Sequence, residues 1–114
     1  MTTPVNPKTI SWIAPTQNAS PAGTPITAGE ITGYMIGARD VNAAGSVAGT
    51  YPITATVNDP TALSAPITVL GTLAPGTYAA SVMTLGPSDS VWDPTEAQFT
   101  IAPIPNPPSG FSVA

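Results

Sequence analysis

Neither histidine nor cysteine occurs anywhere in the 114 residues. Without histidine, a Ser-His-Asp arrangement and the common His-based zinc sites are impossible. Without cysteine there is no disulfide framework and no thiolate nucleophile or ligand, although this absence selects no compartment. Charge is scarce as well: 7% of residues are charged, against roughly 25% in an average soluble domain. Two basic residues stand against six acidic ones, for a net charge of −4. Nucleic-acid binding rests on Lys and Arg neutralising phosphates, so that class is excluded, as is an anionic membrane surface. No apolar run approaches the roughly 18 residues of a spanning helix. The opening Met1-Thr2-Thr3-Pro4-Val5-Asn6-Pro7 carries no basic region followed by an apolar stretch, so no secretion signal is expected.

What the chain does contain is a core's worth of apolar residues, 42%, punctuated by 15 prolines and 10 glycines. Its length is that of one domain with a modest core. Thr, Val and Ile abound, proline recurs every few residues, and no long window shows helical spacing, so an all-β fold of short strands is expected. Lys8 to Ala14 reads as the first strand, with Ile10, Trp12 and Ala14 on one face by the two-residue period. Pro15 to Ala28 is a polar loop. Ile31 to Asp40 is the next strand, with Tyr34, Ile36 and Ala38 inward, and Asn42 to Ser46 makes a turn into Tyr51 to Val57. A fourth strand is expected over Pro66 to Leu70, from the alternation of Ile67 and Val69. Thr77 to Leu85 and Ala97 to Ile101 complete the set, the last with Phe99 and Ile101 inward.

Three pieces of this pattern carry a resemblance. Trp12 lies in Ser11-Trp12-Ile13, Tyr34 opens Tyr34-Met35-Ile36, and the corner Leu73-Ala74-Pro75-Gly76-Thr77-Tyr78 leads into the alternation of Tyr78, Ala80, Val82 and Thr84. Together they resemble the fibronectin type III domain in its bacterial and phage versions. The resemblance implies a two-sheet antiparallel immunoglobulin-like β-sandwich over residues 8–102. Trp12, Tyr34, Ile36, Leu73, Pro75, Gly76, Tyr78, Val82 and Phe99 are its core signature, and the strands correspond to B, C, C′, E, F and G. The corner is one residue shorter than in animal versions of the family, which bears on where the Tyr78 hydroxyl reaches.

Strand A is expected to be short or absent, because residues 1–7 form only an arm containing two prolines, and proline cannot donate to a ladder. At the other end, residues 103–114 read as a proline-rich linker plus a strand-like tail. Phe111 and Val113 are two apart and able to face one core. Two readings stand side by side: an ordinary tail or stump of a further domain, and an assembly device. In the second, Pro107, Pro108, Phe111 and Val113 are candidates to fill the unpaired edge of a neighbour in a head-to-tail contact.

Catalytic chemistry finds little footing. Lys8 is alone, no helix supports a phosphate cradle, and the acids Asp89, Asp93 and Glu96 are too loosely spaced for a calcium loop. They read as a solvated loop. Arg39-Asp40 ends a strand and reads as chance rather than a recognition tripeptide. Trp92, in Val91-Trp92-Asp93, is either a covered rim residue or a partner anchor. No enzyme activity, cofactor or metal is expected. Low charge suits close packing against protein, and phage structural proteins often carry domains of the resembled family. The expected role is therefore a bacteriophage virion component, a capsid decoration or tail-associated protein contacting other virion or surface proteins, with homo-oligomeric or head-to-tail contacts. The alternatives are an accessory binding or spacer module of a secreted bacterial enzyme or adhesin, at the cell surface or outside the cell, and a filament subunit joined by exchange of its C-terminal strand.

Overall fold

The computed structural model describes residues 3–110, Ser112 and Val113. Strands account for 34% of the chain and helix for 4%, and the strands form two antiparallel sheets with no closed barrel. In chain order they are β1 (Thr9–Ser11), β2 (Gly33–Asp40), β3 (Ile53–Val57), β4 (Ser64–Pro66), β5 (Gly76–Leu85) and β6 (Ala97–Ile101). One sheet runs β3-β2-β5-β6 and the other is the pair β1-β4. The protein is an all-β, two-sheet antiparallel sandwich.

The larger sheet supplies most of the core, because the two-residue period sends one row of side chains from each strand inward. Ile36 lies opposite Val82, and Ala38 opposite Ala80. Tyr34, Ile36 and Ala38 are at most 1% exposed. Tyr78 faces Phe99 across β5 and β6, their rings stacked with centroids 5.4 Å apart. From the smaller sheet, Ile10, Trp12 and Ala65 close over this layer. Trp12 follows β1 but its N–H still donates to Leu63 O at 2.9 Å, extending the ladder by one bond.

The fourth strand is displaced from its expected place. β4 is Ser64–Pro66, and Ile67–Leu70 is a single 3₁₀ turn. The expected alternation of Ile67 and Val69 is the wrong period. Val69 is 36% exposed, whereas Leu70 is buried at 7%, so the inward pair is Ile67 and Leu70, three apart as a 3₁₀ turn requires. Pro66 ends the strand without breaking its ladder. It faces Thr9, while the hydrogen-bonding parity falls on Ile67, which donates to Lys8 O at 2.9 Å. Gly71 then stops the turn at φ 82°, its N–H closing on Thr68 O, a conformation glycine adopts without steric cost.

At the corner, the shortened spacing does not cost the tyrosine its bond. The Tyr78 hydroxyl donates to Ala74 O at 2.7 Å. Leu73 is partly buried against the core. Pro75 is exposed, so it does not pack in the core as its place in the signature implied. A proline at a bend acts through its fixed φ rather than through contacts.

The N-terminal arm, as expected, forms no first strand, and the structure adds where it goes. It supplies no strand to the smaller sheet, but it is not a free arm either. Val5 bridges Thr100 in parallel. Asn6 N–H donates to Thr100 O, and Thr100 N–H to Pro4 O, both at 2.8 Å. The Asn6 side chain accepts from Ala102 N–H at 2.9 Å, with Asn6 itself at φ 48°, a conformation Asn tolerates. The arm thus covers the outer edge of β6. From Pro103 to Gly110 the chain is exposed and without regular structure. The radius of gyration is 18.0 Å and the extents are 72 × 31 × 25 Å, against about 13 Å for a compact chain of this length.

Candidate functional site

With the arm diverted to β6, β1 keeps a free edge. Trp12 and Lys8 bond to the β4 side, and in an antiparallel ladder alternate residues point their N–H and C=O groups to opposite edges. The N–H and C=O groups of Thr9, Ser11 and Ile13 therefore face away from β4. Beside this edge, between the two sheets, runs a groove of about 470 Å³ lined by Ile10, Trp12 and Ile13 on one wall and Ala80, Val82 and Ala97 on the other. Ile13 is 94% exposed. The groove is mainly apolar, with Ser11, Ser81, Asp93 and Thr95 as its polar lining.

The aromatic pair next to the groove is incompletely satisfied. Trp12 and Tyr34 pack with ring centroids 5.2 Å apart, and both Trp12 Nε1 and the Tyr34 hydroxyl are buried with no hydrogen-bond partner among the described residues. A buried polar group left unpaired typically costs about 1–3 kcal/mol. Burial also pushes the Tyr34 hydroxyl pKa above the usual phenol range, so it stays protonated. Of the two, Trp12 also lines the groove.

A second constellation covers the outer face of the larger sheet. Gly37 and Ser81 are register partners there, as are Arg39 and Ala79. Gly37, Ala79 and Ser81 make a floor of small residues, and Ala79 is fully buried although it faces outward. Onto this floor lie Tyr51 and Trp92, edge to face with centroids 4.8 Å apart. The fit is close enough that a Cβ on Gly37 would stand 2.7 Å from Tyr51 Cβ and 2.9 Å from Trp92 Cη2. The segment carrying Trp92 is tied to β5 by Asp93 N–H donating to Val82 O at 3.0 Å and by the Ser81 hydroxyl donating to Asp93 O at 2.8 Å.

The rim of this cover is a bidentate ion pair. Arg39 Nε donates to Glu96 Oε2 at 2.9 Å and Nη2 to Oε1 at 2.7 Å, while Nη1 donates to Ser46 Oγ at 3.0 Å. The Tyr51 hydroxyl donates to the same Glu96 Oε2 at 2.7 Å. Both charged side chains are largely covered, at 13% and 14% exposure. The Arg39 bond holds the Glu96 carboxyl below the usual carboxylate range, against the opposing pull of burial and with help from Tyr51. Tyr51 is pushed up by burial first and by its bond to Glu96 second.

This corrects two sequence expectations. Glu96 is not part of a solvated loop, and Arg39 is not incidental: the fork of Arg39 on β2 meets the carboxylate of Glu96, just ahead of β6 and 57 positions away in the chain. Nothing local in the sequence announces this pair. The available signal is that Arg39 is one of only two basic residues and sits on an outward-facing strand position. Asp89 and Asp93 do behave as turn acids, each capping a nearby backbone N–H, of Gly86 and Thr95 respectively. Trp92 lies half-buried on Tyr51, and its neighbour Val91 is 84% exposed.

Of the tail candidates, Pro107 and Pro108 are exposed and without regular structure, Val113 is 86% exposed, and Phe111 lies outside the described residues. Ile104 is also 84% exposed, an apolar residue in the linker that the sequence reading passed over. Among the described residues no three acidic or other ligating side chains come together as a metal site. Comparison of the chain with protein families, with curated proteins and with solved structures finds no match.

Proposed function

We propose that this protein is a non-catalytic structural component acting through protein–protein contacts, most simply a bacteriophage virion protein that displays a fibronectin type III-like sandwich on a capsid or tail. The observation that carries the reading is the free β1 edge with the apolar groove beside it. Such an edge is a template for another chain and is normally covered, charged or interrupted by proline. Thr9 to Ile13 contains neither charge nor proline. A sandwich of two strands against four is compatible with this reading.

The low charge shapes how such a contact works. With so few ionisable groups there is little electrostatic steering, and affinity rests on shape and buried apolar surface. Binding to the partner is expected to change little between low and high salt. The test is localisation on purified particles from the strain that carries the gene. Immunogold labelling with an antibody to this chain should decorate virions at a fixed position, with stoichiometric recovery beside a coat or tail protein. Signal confined to the cell surface or culture medium would overturn the virion assignment in favour of a secreted accessory module.

A further inference from the structure

Resting on that reading, we infer that the partner filling the β1 edge is the C-terminal tail of a second copy of this chain, added as a strand antiparallel to β1. The direction follows from where the ends of the elements lie. The bridge of Val5 to Thr100 and the bond from Ala102 to the Asn6 side chain put the end of β6 beside the approach to β1. At the opposite end of β6, Asp93 bonds to Val82, two residues past the Ala80–Ala97 pair, so Asp93 and Thr95 lie ahead of β6, in the groove that Trp12 and Ile13 also line. β1 therefore runs opposite to β6, and a strand antiparallel to β1 must enter at the Ile13 end and leave at the Thr9 end.

The tail departs from the Thr9 end. To serve its own groove in that orientation it would have to travel the length of the body and turn back. In a neighbour stacked end to end, the same tail arrives at the Ile13 end already pointing the right way. The chemistry fits the place. Residues 97–114 contain no charge. Prolines 103, 105, 107 and 108 favour an extended spacer, roughly 19 Å for six residues at about 3.1 Å each. The following Ser109 to Ala114 is free of proline and supplies roughly 20 Å of strand at about 3.3 Å per residue, enough to span Thr9 to Ile13. Phe111 and Val113 share one face of that strand, and the groove between Ile10 and Ala97 is apolar. β3 also ends its sheet, but the apolar groove adjoins β1 and not β3. The contact is heterologous, so it propagates as a row or closes as a ring.

The test uses the full chain and two single variants. Sedimentation velocity of the unmodified protein, from micromolar to millimolar concentration, should show species at multiples of 11.4 kDa that grow with concentration. Val113→Asp, which spoils the donor, and Ile13→Asp, which spoils the acceptor at an exposed position, should each lose the oligomers. Mixed together they should form a 1:1 dimer, because one retains a working tail and the other a working groove. A peptide of residues 103–114 added in excess should dissolve the wild-type oligomers, a readout independent of whether Ile13→Asp folds. A wild type that stays monomeric, association that survives Val113→Asp, a mixture that fails to pair, or a peptide without effect each overturns the inference. Capture of a virion protein by the Val113→Asp chain tests the preceding reading separately, since that variant keeps the groove and the body.

Discussion

The two sheets of this sandwich are built to different standards. The larger has strands of up to ten residues, pairing on both sides of β2 and β5, an inner face that forms the core and an outer face covered by Tyr51, Trp92 and the Arg39–Glu96 pair. The smaller has two strands of three residues each and a free edge. A sheet buried on one face and covered on the other resists change; a short sheet with unpaired backbone groups accepts additions. On the proposed reading, stability rests mainly on the larger sheet and partner binding on the β1 edge, so substitutions at exposed positions of that edge should leave stability almost untouched.

Ile36→Ala offers the harshest test of that division. Ile36 is fully buried at the centre of the larger sheet, and removing such a side chain costs about 2–5 kcal/mol, read as a fall in the midpoint of chemical unfolding. A loss near zero would mean that the core lies elsewhere. Gly37→Val, one residue away and on the opposite face, should cost about 1–3 kcal/mol by overpacking against Tyr51 and Trp92, with a change in near-ultraviolet circular dichroism as the ring pair shifts. Tyr78→Phe, which leaves Ala74 O without its donor, should cost about 1 kcal/mol.

On the larger sheet, acid should act through Glu96. The folded Glu96 pKa is depressed, so its stabilisation is complete above the unfolded value near about 4.3 and is lost as pH falls through the lower folded value. Thermal scans of wild type and Glu96→Gln should therefore converge in that acidic window and diverge above it; parallel curves throughout would remove Glu96 from the account. Smallest of all, Ile13→Ala on the free edge should change stability by less than about 0.5 kcal/mol, as expected for an exposed side chain. A larger loss would show that the edge belongs to the folded core after all.

The sequence foretold the larger sheet well because period-two alternation is a local signal: Tyr34, Ile36 and Ala38 could be placed inward from their spacing alone. Turn residues marked the ends of most strands for the same reason. Where periods are short they become ambiguous, and Ile67-Thr68-Val69-Leu70 satisfies both a strand and a 3₁₀ turn until the burial of Leu70 decides. The outer-face cluster was hidden because its members, Gly37, Arg39, Tyr51, Ser81, Trp92 and Glu96, are scattered over 60 positions and each is ordinary by itself. The prolines of the arm, which fail as donors in a ladder, foretold the absent first strand but not the bridge to β6, in which Pro4 takes part through its carbonyl.

The placement of the two tryptophans gives each half of the molecule its own lamp. Trp12 lines the groove and Trp92 lies on the outer face, so a single-tryptophan variant of either kind reports emission from one region alone. Arrival of a strand at the groove should alter the fluorescence of Trp12 while Trp92 stays constant, and strain on the outer cover should do the reverse.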